Sequence, residues 1–146
     1  MKFITAKLSA TIDNELFSLK THAATDLRCY DVLKDIQSLE NYVRNKRISL
    51  GYSIVLTNVK SPWKAKKGEK ENYYNDFRIY EELTAHGTMD WKPGVSKGTK
   101  KVRIDPIKLA GKYTSRWAKY KEAEQSKEDK SNGNNLFKYA INTIDR

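Results

Sequence analysis

Residues 26–45 read DLRCYDVLKDIQSLENYVRN and residues 51–58 read GYSIVLTN, and the hydrophobic period changes between the two runs. In the first, Cys29, Val32, Leu33, Ile36, Leu39 and Val43 recur at three- and four-residue spacing, the one-sided stripe of an amphipathic helix. Thr25 or Asp26 stands where such a helix takes its N-cap, so a long helix is expected from about 26 to 45. The second run is continuously apolar, entered by Gly51 and left by Thr57 and Asn58. A short run of that kind is expected to be a central strand with both faces buried.

Working outward, residues 3–12 and 15–20 are two β-prone runs separated by Asp13-Asn14, which predicts a hairpin over 2–20. Residues 60–76 are basic and polar and are broken by Pro62 and Gly68, as in a surface loop. Residues 77–83, 84–91 and 102–120 supply further short strands, with a Gly- and Lys-rich loop at 92–103. Residues 121–135 hold no apolar residue larger than Ala and read as a flexible polar connector. Residues 136–144, LFKYAINTI, return to alternation and are expected as a last strand on the sheet edge. The order predicts one α+β domain over 1–146: a mixed β-sheet, one principal helix, an N-terminal hairpin and a β-rich C-terminal half.

The 28 Lys and Arg residues against 18 Asp and Glu give a formal charge of +10, which favours a polyanionic partner or an acidic membrane surface over a neutral metabolite. A soluble protein that is merely basic fits the same number. No apolar run approaches the roughly 20 residues of a membrane span, and the first residues lack the apolar core of a signal peptide. A cytoplasmic protein is expected. Cys29, the single cysteine, lies on the apolar stripe of the helix and reads as a packing residue rather than a nucleophile.

His22 and His86 stand in no zinc-binding spacing and read as loop or sheet-edge histidines. GVSKGTK, residues 94–100, lacks P-loop spacing. Its glycines, with Lys92, Lys97, Lys100, Lys101 and Arg103, fit either a solvated loop or contacts to a nucleic-acid backbone that read no sequence. Trp63, Tyr73, Tyr74 and Trp91 interleave with Lys64, Lys66, Lys67, Arg78 and Lys92. Such aromatics can stack bases, but burial in a small core is the commoner use. On the helix, Arg28, Asp31, Lys34 and Asp35 fall on the flank and the outer face. Asp31 and Asp35, one turn apart, fit a hard cation or, at lower cost, an ion-pair ladder with Lys34.

Taken together, several runs resemble the PD-(D/E)XK, or restriction-endonuclease-like, nuclease superfamily: FSLKTHAATDLRCYDVLKDIQSLE (17–40), GYSIVLTNVKSPWK (51–64), DFRIYEE (76–82), TMDW, SKGTKK, IKLAGKYTSRWAKY (107–120) and LFKYAINTI. The resemblance lies in their order and spacing, not in one diagnostic motif. It implies a partial restriction-endonuclease-like core in which MKFITAKLS is the strand of a Glu-x-Lys motif and Lys2 is the motif lysine. It also implies Mg²⁺ in a complete member, held by acids that activate water while the lysine orients the nucleophile. The motif Glu would precede Met1 and the Asp strand is lacking, so an N-terminally shortened form is expected, with no cofactor of its own. Asp31 and Asp35 (and Asp26) are the acids available for relocation to the helix. The expected activity is DNA binding without cutting, through backbone contacts by Arg28, Lys34, Lys64, Lys66, Lys67, Lys97, Lys100, Lys101 and Arg103. The alternative is a non-enzymatic protein-interaction or homodimerisation module that uses exposed strand edges. An RNA-binding module is a third reading, without an RNP-type or KH-type run.

Overall fold

In the computed structural model, which describes residues 1–22, 24–65, 68, 70–124 and 133–146, the chain runs β1 (Lys2–Ile4), β2 (Leu8–Ile12), β3 (Glu15–Leu19), α1 (Thr25–Arg44), β4 (Leu50–Thr57), β5 (Thr84–Met89), α2 (Lys97–Lys100), β6 (Ile107–Thr114), β7 (Trp117–Glu122) and β8 (Leu136–Asp145). This is an α+β fold with a mixed sheet, one main helix and a strand-rich C-terminal half. The main sheet has the order β1-β4-β8-β7, with β1 parallel to β4 and the other neighbours antiparallel. β2 with β3 and β5 with β6 form separate two-stranded sheets. Among the described residues no helix is long and apolar enough to cross a membrane.

The hairpin turns at Asp13 and Asn14, both at positive φ, as a two-residue turn between twisted strands requires. The run before it is not one strand. Residues 5–7 break it, because Thr5 Oγ1 donates to the Lys20 carbonyl at 2.7 Å and the Ala6 amide donates to Asn58 Oδ1 at 2.8 Å. β1 is thereby freed to pair with β4 while β2 pairs with β3.

The stripe of α1 is buried as its spacing predicts, at Cys29, Val32, Leu33, Ile36 and Val43. Its N-cap, however, is Ala24 in the left-handed region, with no side-chain capping bond. Thr25 is already helical, and the Asp26 carboxylate accepts from the Tyr73 hydroxyl at 3.1 Å. α1 lies against β4, where a Cβ at Gly51 would stand 3.0 Å from Leu39 Cδ2, so glycine permits the close approach.

Four further expectations are corrected in whole or in part. β4 alternates: Gly51, Ser53, Val55 and Thr57 are buried, while Leu50 and Tyr52 are 46% and 54% exposed, so only its helix-side face is closed. β8 lies inside the sheet between β4 and β7, not at its edge. Residues 77–83 form no strand: Phe77 ends a single 3-10 turn, and the next amides go to scattered partners, Glu81 to Trp63 and Glu82 to Ser115. Of the expected connector, Lys121 and Glu122 belong to β7 and Ala123 is buried, while residues 125–132 lie outside the described residues.

The aromatics weighed for base stacking belong largely to the core. Trp63, Trp91 and Trp117 are 5–7% exposed. Phe77 packs on Trp91 at 4.6 Å and on Tyr30 at 5.0 Å between ring centroids. Edge and tilted contacts of this kind add to the burial that closes a small core.

Candidate nucleic-acid interface

The half-buried flank of α1 gathers cations from distant parts of the chain. The Arg103 guanidinium grips Asp31 with both arms, Nε to Oδ1 at 2.7 Å and a terminal nitrogen to Oδ2 at 2.9 Å, and Arg28 stands 3.8 Å from the same carboxylate. The Asp31 hydrogen bond raises the affinity of Arg103 for its proton further still. Two more bonds fix the backbone around this fork: the Tyr30 hydroxyl donates to the Asp105 carbonyl at 2.8 Å, and Trp91 Nε1 donates to the Arg103 carbonyl at 2.6 Å. The end of segment 92–106, at Arg103 and Asp105, is therefore pinned to α1. The segment carries exposed Lys97 and Lys101, and α2, whose N-cap Ser96 accepts from the Thr99 amide at 3.1 Å. The side chain of Lys100 lies outside the described residues.

Lys2 and Asp35, nominated separately in the sequence, meet across the β1–α1 contact with Nζ 3.5 Å from Oδ1. The expected ladder of Asp31, Lys34 and Asp35 does not form. Asp31 turns to the arginines, Asp35 to Lys2, and Lys34 donates to Gln37 at 2.7 Å. The same geometry decides whether the two aspartates suit Mg²⁺. Both oxygens of Asp31 accept from a guanidinium and Asp35 faces an ammonium, so the two carboxylates are already engaged by cations and as they stand do not fit the ion.

Arg28, Asp31 with Arg103, and Lys34 follow one another at three-residue steps, a single stripe along the N-terminal half of α1. From Arg28 to Lys34 that is about 9 Å of helix axis. Lys64 is exposed at the start of α1, in a hollow of about 260 Å³ shared with Thr25, Asp26, Ser61 and Tyr73. Burial, then the bond to Asp26, pushes the Tyr73 hydroxyl above its ordinary pKa. Lys66 and Lys67 lie outside the described residues. Lys92 is paired with Asp76 at 2.9 Å.

Cys29 is 4% exposed, and burial, then the Asp26 charge, pushes its thiol up to about 12. It is a packing residue. His22 and His86 are exposed.

One polar residue of structural weight was missed. Glu40, 6% exposed, accepts from the amides of Ala110 at 3.0 Å and Gly111 at 2.7 Å and from the Tyr113 hydroxyl at 2.9 Å, which locks α1 to an irregularity in the β5–β6 pairing. The signal was present: Glu40 stands four residues after Ile36 and three before Val43, on the apolar stripe itself. No family model, curated protein or solved structure matches the chain.

Proposed function

We propose that the chain binds the backbone of DNA through the cationic stripe of α1 and the segment that Arg103 pins to it. In this reading it is a cytoplasmic nuclease-like domain of the PD-(D/E)XK type, without a complete metal-dependent phosphodiesterase site in this chain. The observation that carries it is the Arg103–Asp31 fork, which brings a cation from the end of segment 92–106 onto α1 beside Arg28. Phosphate contacts by Arg28, Lys34, Lys97 and Lys101 position a duplex without reading its bases. The charge of +10 draws the polyanion in over a distance set by salt. Lys2 beside Asp35 supports the resemblance, since it sets the motif lysine next to an acid of the helix. In this reading the Arg103–Asp31 fork commits Asp31 to a guanidinium rather than to a metal.

The test is fluorescence anisotropy of a labelled generic duplex over a range of salt. Several phosphate contacts give a log-log salt slope of several units. Reversing Arg28, Lys97 and Lys101 to Glu flattens that slope. Binding that ignores salt, or no binding at low salt, overturns the reading.

A further inference from the structure

Among the described residues the main sheet is fully covered on one side, by α1, and only at one corner on the other. Register places Phe3 beside Leu56, Ile141 opposite Ile54 and Thr143 opposite Tyr52 on the face turned away from α1. There Tyr52 is 54% exposed, Ile141 46%, Leu50 46%, Phe3 40% and Tyr120 65%. The hairpin β2–β3 covers one corner, with Leu8 and Ala10 buried against Ala123 and Phe137. Between hairpin and sheet remains an apolar groove of about 520 Å³, continuous with the face through Phe3, Leu56 and Tyr120.

The charge on this face is sparse. Among the described residues the charged positions of the sheet itself are, by register, Lys121, beside Phe137 at one end of β8, and Asp145, opposite Leu50 at the other, while Asp13, Glu122 and Glu124 line the groove. A nucleic acid meets no array of cations there, whereas an apolar partner loses little by desolvating it. A large side chain offers about 150–250 Å². Five of them at 40–65% exposure therefore leave on the order of 500 Å², before the half-buried Ile54, Leu56 and Tyr139 are added. Contiguous apolar patches beyond a few hundred Å² mark interaction surfaces, and a standard interface takes about 800 Å² from each partner.

We infer that this face packs against the same face of a second copy of the chain. A two-fold axis in the plane between the sheets, perpendicular to β8, lays the Lys121 end of one copy over the Asp145 end of the other. The two charges then complement each other at both rims while the apolar centre meets itself. The contact is sheet on sheet, which needs only interdigitating side chains. The sheet edges are poor alternatives, since β1 has three residues and β7 is irregular between Lys119 and Lys121. The cationic stripes stay outside the contact, on the α1 side of each copy.

Sedimentation equilibrium of the full chain tests this. The expected result is a reversible dimer that persists at high salt, weakened there only by screening of the rim charges. Tyr52→Glu with Ile141→Lys raises its dissociation constant at least about tenfold, or 1.4 kcal/mol. Tyr120→Ser with Ile141→Thr, a milder pair, moves it the same way should the first variant fail to fold by circular dichroism. Lys121→Asp and Asp145→Lys each weaken the dimer, and the double exchange restores it. A monomer up to the solubility limit overturns the inference. So does a dimer that these changes leave untouched, or one that Arg28→Glu and Lys101→Glu abolish. Duplex binding by the monomeric variants reports on the cationic stripe alone, so failure of one reading is distinguishable from failure of the other.

Discussion

Ile141 and Ile144 lie three residues apart on one strand, and their surroundings differ completely: Ile144 is 2% exposed beneath α1 and Ile141 is 46% exposed on the far face. The same holds along β4, where Val55 is closed and Tyr52 open. Both faces are apolar, so hydrophobicity does not distinguish them. What distinguishes them is that α1, its aromatic neighbours and the β5–β6 pair lie over one face, while the other, among the described residues, carries only the corner contact of β2–β3.

The sharpest way to break this contrast is to truncate both isoleucines. Ile144→Ala is expected to cost about 3 kcal/mol of folding free energy, because it leaves a hole in packed surroundings. Ile141→Ala is expected to change the stability of the monomer by no more than about 0.5 kcal/mol. Urea midpoints at equal m-value, in dilute protein, measure the difference. Equal losses would mean the open face is packed within one molecule.

On the closed side, Glu40→Ala is expected to cost about 2 kcal/mol or more, since two amides and a hydroxyl lose their acceptor together. Glu40→Gln, which keeps the volume but turns donors toward donors, is expected to recover only part of that, as thermal unfolding of the two variants would show.

Cys29 supplies a pH test of the same side. Its thiol is raised from an ordinary 9.0 to about 12, so the native state holds its proton where the unfolded chain has lost it. Its contribution is complete below pH 9 and is lost as pH rises toward 12, at about 1.4 kcal/mol per pH unit. Tyr30 and Tyr113 are also raised and act in the same direction. Comparison with Cys29→Ala isolates the thiol: the alkaline limb of stability should be shallower in the variant, and identical limbs would mean the thiol is reached by water in the native state.

The smallest effect is expected at Lys2. Its pair with Asp35 has both side chains more than a third exposed, so Lys2→Met should move the unfolding free energy by less than about 0.5 kcal/mol. A larger loss in chemical denaturation would make the pair a fastener of β1 and not a surface contact.

The parts of this molecule that sequence reveals are those set by local spacing. The α1 stripe is local, and Cys29, Val32, Leu33, Ile36 and Val43 are all buried. GYSIVLTN is a strand, but reading both its faces as buried took apolar character for burial, and Tyr52 shows the two are different quantities. The alternation of LFKYAINTI reveals a strand and not its neighbours, so the interior place of β8 was out of reach. Phe77 and Ile79 are both buried at two-residue spacing, which imitates a strand, whereas the backbone partners that would make one are missing from the ladder. At the candidate site, helical spacing offered Asp31 the nearby Lys34. The chain instead brings Arg103 across 72 residues, and no local pattern encodes that distance.

β4 has one neighbour from residues 2–4 and another from residues 136–145, and this separation governs the order in which the sheet can be assembled. During synthesis at 5–20 residues per second, β4 is complete for roughly ten seconds before β8 exists to pair with it. Through that interval an apolar strand presents an unpaired edge, and the loop that β8 must close is among the longest this chain allows. Assembly of the sheet therefore ends with β8, and the nascent chain is most prone to aggregate just before that strand is made.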